Sequence, residues 1–441
     1  ALAGNQVLET KKRWGDVVIS KLLVSGASVD LTWANERRST NSSFQGLNPE
    51  YDPTLDLSVE QPLLRDIGGI STRTSLRLAR NTGAQAVAAF EAAMAQFVAE
   101  VTMAYWDHAR AEVELEVHRR SLELARQLVT EAEAKVEVGL LAPVAVREAG
   151  AEAAAREEAA ISAENRLELA SRKLQYLVML ASPDSRAPLR LKPSSRHQPA
   201  VVAVDKAASM RQAVESRPEL RAARLAVEAA ALAERQARNQ LLPSLDLVGN
   251  YTLVGLAGNS APVTPIGGGA TVESPFSGSY SDAVDLMMEG DFFKYSLGLT
   301  LEVPLSNTAA RAAHARAVVE LQGTRDSLKQ AAVNVALEVE RAAGNVDSAY
   351  RRVTAARLAR ELSDENLANQ QRRFEIGMVT TKDVLDFQAK LAGAMAAEAR
   401  AVNDHADALT SLLLARGALL GSYGIEVEME GAPGLPWWSR F

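Results

Sequence analysis

The chain has 441 residues and a net charge of −7, and it is 47% hydrophobic but only 5% aromatic, with no cysteine. The acidic balance and the lack of a basic stretch argue against nucleic acid as a partner. The missing thiols exclude disulfides and thiolate metal sites within this chain.

Much of the hydrophobic content is alanine set among Glu and Arg, which is the composition of long packed helices. No uninterrupted apolar run of about eighteen residues suggests a transmembrane helix. The opening ALAGNQVLETKKRW lacks the features of a signal peptide, as a mature exported chain also would.

Residues 1–22 read as helical. GASVDLTW then alternates, with Ala27, Val29, Leu31 and Trp33 on one side and Ser28, Asp30 and Thr32 on the other. Residues 36–52, rich in Asn, Ser, Gly and Pro, read as a loop. In PTLDLSVEQPL, Leu55, Leu57 and Val59 alternate with Thr54, Asp56, Ser58 and Glu60, and Pro62 ends the strand.

From about Ser71 a helix is expected towards Gly139. Its apolar positions include Val87, Phe90, Met94, Phe97, Val101, Ala104, Leu115, Leu122 and Val136, interrupted only by His108 and His118. The steps alternate three and four, a heptad seam that predicts left-handed, coiled-coil-like packing. At 1.5 Å per residue such a helix is roughly 100 Å long. EVGLLAPVAV breaks it and a second helix returns to about 180. Residues 181–205 are Pro/Ser-rich and read as a linker.

The second half repeats the plan. A helix leads to the strand PSLDLVGNYTL, then residues 255–290 form a Gly/Pro/Ser loop, and a second strand, YSLGLTLEVPL, alternates like the first. A helix from about 308 carries the seam Val318, Leu321, Leu328, Val335, Val339, Val346 and Val353. FEIGMVTTKDVL interrupts it before the return to about 418.

The expected organisation is therefore a duplication. Repeat one is 1–205, with a β-hairpin at 24–62, a helical hairpin at 71–180 and the linker. Repeat two is 206–441, with a β-hairpin at 243–304, a helical hairpin at 308–418 and a C-terminal tail. The fold class is mainly α with a small β part.

Alternation of this kind has two readings. The commoner is a soluble sheet whose apolar face packs on helices. The other is a membrane sheet, with Leu57, Val59, Leu297, Leu299 and Leu301 facing lipid and Asp30, Asp56, Glu60, Asp246 and Glu302 facing water. Helices too long to cap a small sheet favour the second. So do the aromatics Trp33, Tyr51, Tyr251, Phe292, Phe293 and Tyr295 near strand ends. Four strands cannot close a barrel, for which about eight are needed, so this reading requires an oligomer.

No catalytic triad and no H-E-x-x-H motif occurs, and PIGGGATVES lacks the ending of a phosphate loop. His108 and His118 are too far apart for a helical metal pair and read as packed core histidines. Neither a cofactor nor a metal is expected.

The duplicated plan, the RPEL…LLPSLDL approach to the second hairpin, the LEVPL strand exit and the tips EVGLLAPVAV and FEIGMVTTKDVLDFQAKL resemble the TolC family of outer-membrane efflux channels. The resemblance implies a homotrimer whose twelve strands form one barrel in the outer membrane, continued by an α-helical barrel through the periplasm. It implies docking of a periplasmic adaptor and an inner-membrane pump at the helix tips, with no catalysis.

On this resemblance Asp383 and Asp386 match the aperture carboxylates and would form a cation-selective constriction. Gly139, Leu140, Leu141, Gly377, Met378 and Val379 would form the adaptor-docking tips. The polar contacts that hold such tips shut do not carry over, because Val144, Ala145 and Val379 stand at those positions. Export of small molecules is the leading function. Type I protein secretion is an alternative on the same fold, and a soluble coiled-coil scaffold is an alternative of another class.

Overall fold

The computed structural model describes residues 7–42, 44–178, 191–263 and 273–427. Most of PIGGGATVES, the first part of the expected linker and the end of the tail lie outside the described residues.

The sheet consists of β1 (Thr10–Leu22), β2 (Ser28–Thr40), β3 (Leu47–Pro62), β4 (Ser244–Val254), β5 (Ala257–Ser260) and β6 (Phe293–Glu302). Their order is β1-β2-β3-β4-β6, with β5 alongside the start of β3, and every pairing is antiparallel. Residues 10–22 are thus a strand and not the helix expected from sequence. The β-branched run Val17–Val18–Ile19 suits a strand, and β2 offers it an edge from Thr10↔Thr40 to Leu22↔Ser28. Gly26, at φ 88°, makes the tight turn between them, and a Cβ there would meet the Gly69 Cα at 2.9 Å.

Two expected loops are shorter than their composition suggested. β2 runs on to Thr40 and β3 starts at Leu47. Arg38 bridges Glu36 at 3.0 Å and Glu50 at 3.8 Å. The Asn48 amide bonds both the N–H and the C=O of Thr40, beside Pro49, which has no N–H to give. Within 255–290 lie β5 and the helix α5 (Tyr280–Glu289), which is started by a Ser279–Asp282 capping box.

The long helices are α1 (Ile70–Glu137), α2 (Pro143–Leu177), α6 (Thr308–Glu375) and α7 (Thr381–Ala415). Helices α1 and α6 each have 68 residues, and α2 and α7 each have 35. Short helices α3 (Lys206–Ser216) and α4 (Pro218–Asn239) lead into β4, and α8 (Leu419–Ser422) follows α7. By length and composition alone the helical stretch Ile67–Glu137 could cross a membrane, with a mean hydropathy of 1.3 in its most apolar window. Alanine around the seam, and not one unbroken apolar run, supplies that hydropathy.

Contacts divide the chain across the repeat. One unit is Ala1–Gly83 with Ala226–Arg325 and holds the sheet; the other is Ala84–Leu225 with Asp326–Phe441 and holds most of the helical length. The helical unit has two cores. Ala213, Leu220, Val335, Val339, Val346, Ala349 and Leu412 join α3, α4, α6 and α7. Ala125, Leu128, Ala149, Leu367, Val384 and Leu385 join α1, α2, α6 and α7 near their turns.

Candidate functional site

The register sorts the strands into two faces. Trp33, Leu55, Leu253 and Phe293 form one cross-strand row, and Leu31, Leu57, Tyr251 and Tyr295 form the next. Below them come Val59 beside Gly249 and Leu297, then Leu247 beside Leu299, then Leu245 beside Leu301. Tyr251, Phe293 and Tyr295 stack in succession, with ring centroids 5.8 and 6.3 Å apart. This apolar face is uncovered: Leu297 is 76% exposed, Leu299 64% and Leu301 62%.

The opposite face is polar. Thr32, Asp56, Thr252 and Lys294 make one row, and Asp30, Ser58, Asn250 and Ser296 the next. Ser28 and Glu60 follow, then Asp246 with Thr300 and Ser244 with Glu302. Asp30, Asp56, Glu60, Asp246 and Glu302 therefore all lie on one side of one sheet. The Thr252 hydroxyl donates to the Asp56 carboxylate across two strands, and the Asn250 amide donates to Ser296 Oγ at 3.2 Å.

At the other end of the helices the turns 138–142 and 376–380 correspond residue for residue. Gly139 (φ 76°) and Gly377 (φ 74°) occupy the left-handed position after each long helix. The next N–H groups reach back to close the helix ends: Leu140 N–H to Lys135 C=O at 2.8 Å, and Met378 N–H to Arg373 C=O at 2.9 Å. Leu140 and Met378 stand exposed beside Val138 and Ile376. Leu141 is half-buried, and Val379, also half-buried, packs against the tip core.

The two tips differ in how their second helices start. Pro143 opens α2 without a side-chain cap. Thr380 caps α7: its hydroxyl accepts the Asp383 N–H at 3.3 Å, and that hydroxyl and the Thr380 N–H both donate to one Asp383 oxygen, at 2.7 and 2.8 Å. Those two bonds, from hydroxyl and backbone, hold the Asp383 carboxyl below the ordinary aspartate range. Asp383 thus does the work of a helix cap, and within one chain it does not hold its proton more tightly as a crowded aperture carboxylate would. Asp386 is exposed one turn on.

No motif or spacing points to a second polar group in the helical unit. His197 Nε2 and His405 Nδ1 lie 2.7 Å apart, against the rings of Trp106 and Tyr350. Asp407 nearby is pushed up to about 6 by burial, and then by the like charges of Asp107 and Asp404. His108 is buried and its Nε2 meets the Leu191 carbonyl at 3.2 Å, as a core histidine does. Among the described residues no cluster of His and carboxylates could hold a metal.

Comparison with known proteins draws these surfaces together. Residues 210–418 match the outer membrane efflux protein family. The fold is similar to that of the outer-membrane channel OprN, at 18% identity and a TM-score of 0.65 over 95% of this chain and 83% of that one. It is similar to the outer membrane protein VceC of Vibrio cholerae, at 18% identity and a TM-score of 0.65, covering 93% and 87% of the two chains. It is also similar to the open-state MtrE outer membrane channel of Neisseria gonorrhoeae, at 20% identity and a TM-score of 0.62, covering 94% and 81%. No match was found among curated proteins. Residues 210–418 thus match the model of the outer membrane efflux protein family, and the chain has the fold of outer-membrane channels.

Proposed function

We propose that the protein is the outer-membrane exit duct of a tripartite efflux pump. It is a passive channel, built from three copies, that passes small molecules across the periplasm and outer membrane. The observation that carries this reading is the uncovered apolar face of the sheet backed by a continuous polar face. A soluble scaffold would bury Leu297, Leu299 and Leu301 against its own helices. Lipid covers them instead, and Asp30, Asp56, Glu60, Asp246 and Glu302 line water.

Hydrocarbon tolerates no open strand edge, so the sheet must close. Strand directions bear on how. β1 runs parallel to β6, because three strands with successive antiparallel pairings separate them. Copies joined through β1 and β6 would meet in a parallel seam. Copies joined through β2 and β6 meet antiparallel, like the strand pairings of the sheet. The proposed barrel therefore uses β2, β3, β4 and β6 of each copy, twelve staves from three chains, and β1 leaves its place beside β2.

The tips at Gly139, Leu140, Gly377 and Met378 then meet a periplasmic adaptor, which links the duct to an inner-membrane pump. Exposed apolar side chains on a tightly capped turn suit such a contact. Leu141 and Val379 support the turns from inside.

The test compares two neighbouring positions on β6. Leu299→Arg places a charge on the lipid face at a cost of about 2–4 kcal/mol near mid-membrane, and should keep the protein out of the outer-membrane fraction. Thr300→Arg, on the water side, should insert normally. Normal insertion of both variants, or recovery of the wild type without detergent, would refute the duct.

A further inference from the structure

The buried positions of α2 are Ala149, Ala160, Ala163 and Leu174, with one exception, Arg156. Its side chain is only 7% exposed. Nε donates to Glu152 Oε1 at 3.1 Å on the same helix. Nη1 donates to the carbonyl and hydroxyl of Ser121 on α1 at 3.3 and 3.2 Å, and to Gln388 Oε1 on α7 at 3.1 Å. Nη2 donates to the Leu385 carbonyl on α7 at 2.7 Å. One guanidinium therefore ties three helices.

The place of this node matters more than its strength. Leu385 sits between Val384, in the tip core, and the exposed Asp386. The peptide that Arg156 grips is the one that leads into Asp386, a little over one turn past the Thr380 cap. A guanidinium keeps its charge in any protein setting, and its fork fixes direction as well as distance. A polar side chain within an otherwise apolar seam sets register, since sliding or turning one helix leaves its donors unmatched. Alanine at 149, 160 and 163 imposes no such restraint; small side chains pack in several offsets.

We propose that Arg156 is a positioning residue, a latch inside the helix pack that holds the start of α7 against α1 and α2 and so fixes where Asp383 and Asp386 stand. Its effect on permeation rests on the duct reading; its effect on helix position does not. Any widening of the tip that moves α7 away from α2 must break the Leu385 and Gln388 bonds together.

The test uses the full chain in detergent, which has no native cysteine to interfere. Spin labels at Glu148→Cys and Lys382→Cys, both exposed, report the separation of the first turns of α2 and α7. A control pair at Glu168→Cys and Asp404→Cys reports the same helices further along. R156M should broaden the tip distance and add a longer component while leaving the control pair unchanged. R156K keeps the charge but not the fork, and should behave like R156M. If charge alone mattered, R156K would restore the wild-type distribution and overturn the latch.

Should R156M fail to accumulate, the S121A/Q388A double variant removes two side-chain acceptors and should broaden the tip distance in the same way. An unchanged distribution in that variant also overturns the proposal. In planar bilayers the latch-free variants should conduct several-fold more than wild type. A wild type that forms no channel defeats the duct reading, while the label distances still decide the latch.

Discussion

Asp383 and Asp386 share a helical face, yet the structure gives them different work. Asp383 caps α7 through Thr380, whereas Asp386 has its carboxylate free and exposed. Removing the first should loosen the helix start, because the Thr380 hydroxyl and N–H lose their acceptor. Removing the second should change the field at the tip and little else. In single-channel recording Asp386→Asn should lose cation selectivity with its melting temperature intact. Asp383→Asn should lower the melting temperature and disturb selectivity only through the moved helix. Unchanged selectivity in both variants would take the pair out of the aperture. Spacing alone could not separate the two roles, since a sequence shows a carboxylate near a turn but not the Thr380 hydroxyl that claims it.

Asp407 carries a pH dependence. Burial, then Asp107 and Asp404, raise it to about 6, and one of its oxygens is buried without a partner. The folded chain thus holds this proton more tightly than the unfolded chain does. Its contribution to stability is full below about pH 4, the ordinary carboxylate range, and is lost as pH rises through about 6. Asp407→Asn should be more stable than wild type at pH 7 and lose that advantage towards pH 4. The measurement is the difference in denaturation midpoint between the two proteins across that window. A difference independent of pH would show that Asp407 titrates normally.

At the scale of elements, the heptad seam was legible because its period sets which residues share a stripe. It did not show where the chain fills its own seam. On α6, Val335, Val339, Val346 and Val353 are buried within the chain, while Val318 is left exposed. On α1, Ala104, Ala111 and Leu115 are buried, while Phe90 and Phe97 stand out. Val339→Asp therefore puts an unpaired carboxylate into the core of a single chain and should unfold it. Phe97→Asp should leave each copy folded by circular dichroism but fail to assemble. A Phe97→Asp protein that still assembles in mild detergent would show that the exposed part of the seam faces solvent.

The strands were less legible than the helices. Period-two alternation put Asp30, Asp56, Glu60, Asp246 and Glu302 on one face, and the register does the same, because a strand can turn its side chains only two ways. β1 escaped notice because its apolar residues are few and its Lys and Arg suggest a solvated helix. Pairing with a ready edge overrides such weak local preference. The Arg38–Glu50 ion pair joins β2 to β3 across residues 36–52, whose composition reads as a loop.

At the scale of the whole molecule, the outer strand meets a constraint of parity. Five strands place β1 and β6 at the open edges pointing the same way; four place β2 and β6 there pointing opposite ways. Only the second arrangement closes a ring of identical copies with antiparallel seams, the more stable pairing per residue. On the proposed barrel, β1 would cover the β2 edge of an isolated copy, as a protected edge avoids stray pairing, and the next copy's β6 would have to displace it.

Locking β1 in place tests this. Directly opposed residues on antiparallel strands have Cα atoms about 4.5–5.5 Å apart, so cysteines at either Val18–Thr32 or Ile19–Leu31 are within disulfide reach. The chain has no cysteine of its own, so a bridge placed at either pair forms without competitors. The bridged protein should remain monomeric and leave the outer-membrane fraction, and reducing it should restore the trimer. A bridged protein that assembles as well as the reduced one would mean that β1 is a fifth stave and that the barrel closes through parallel seams.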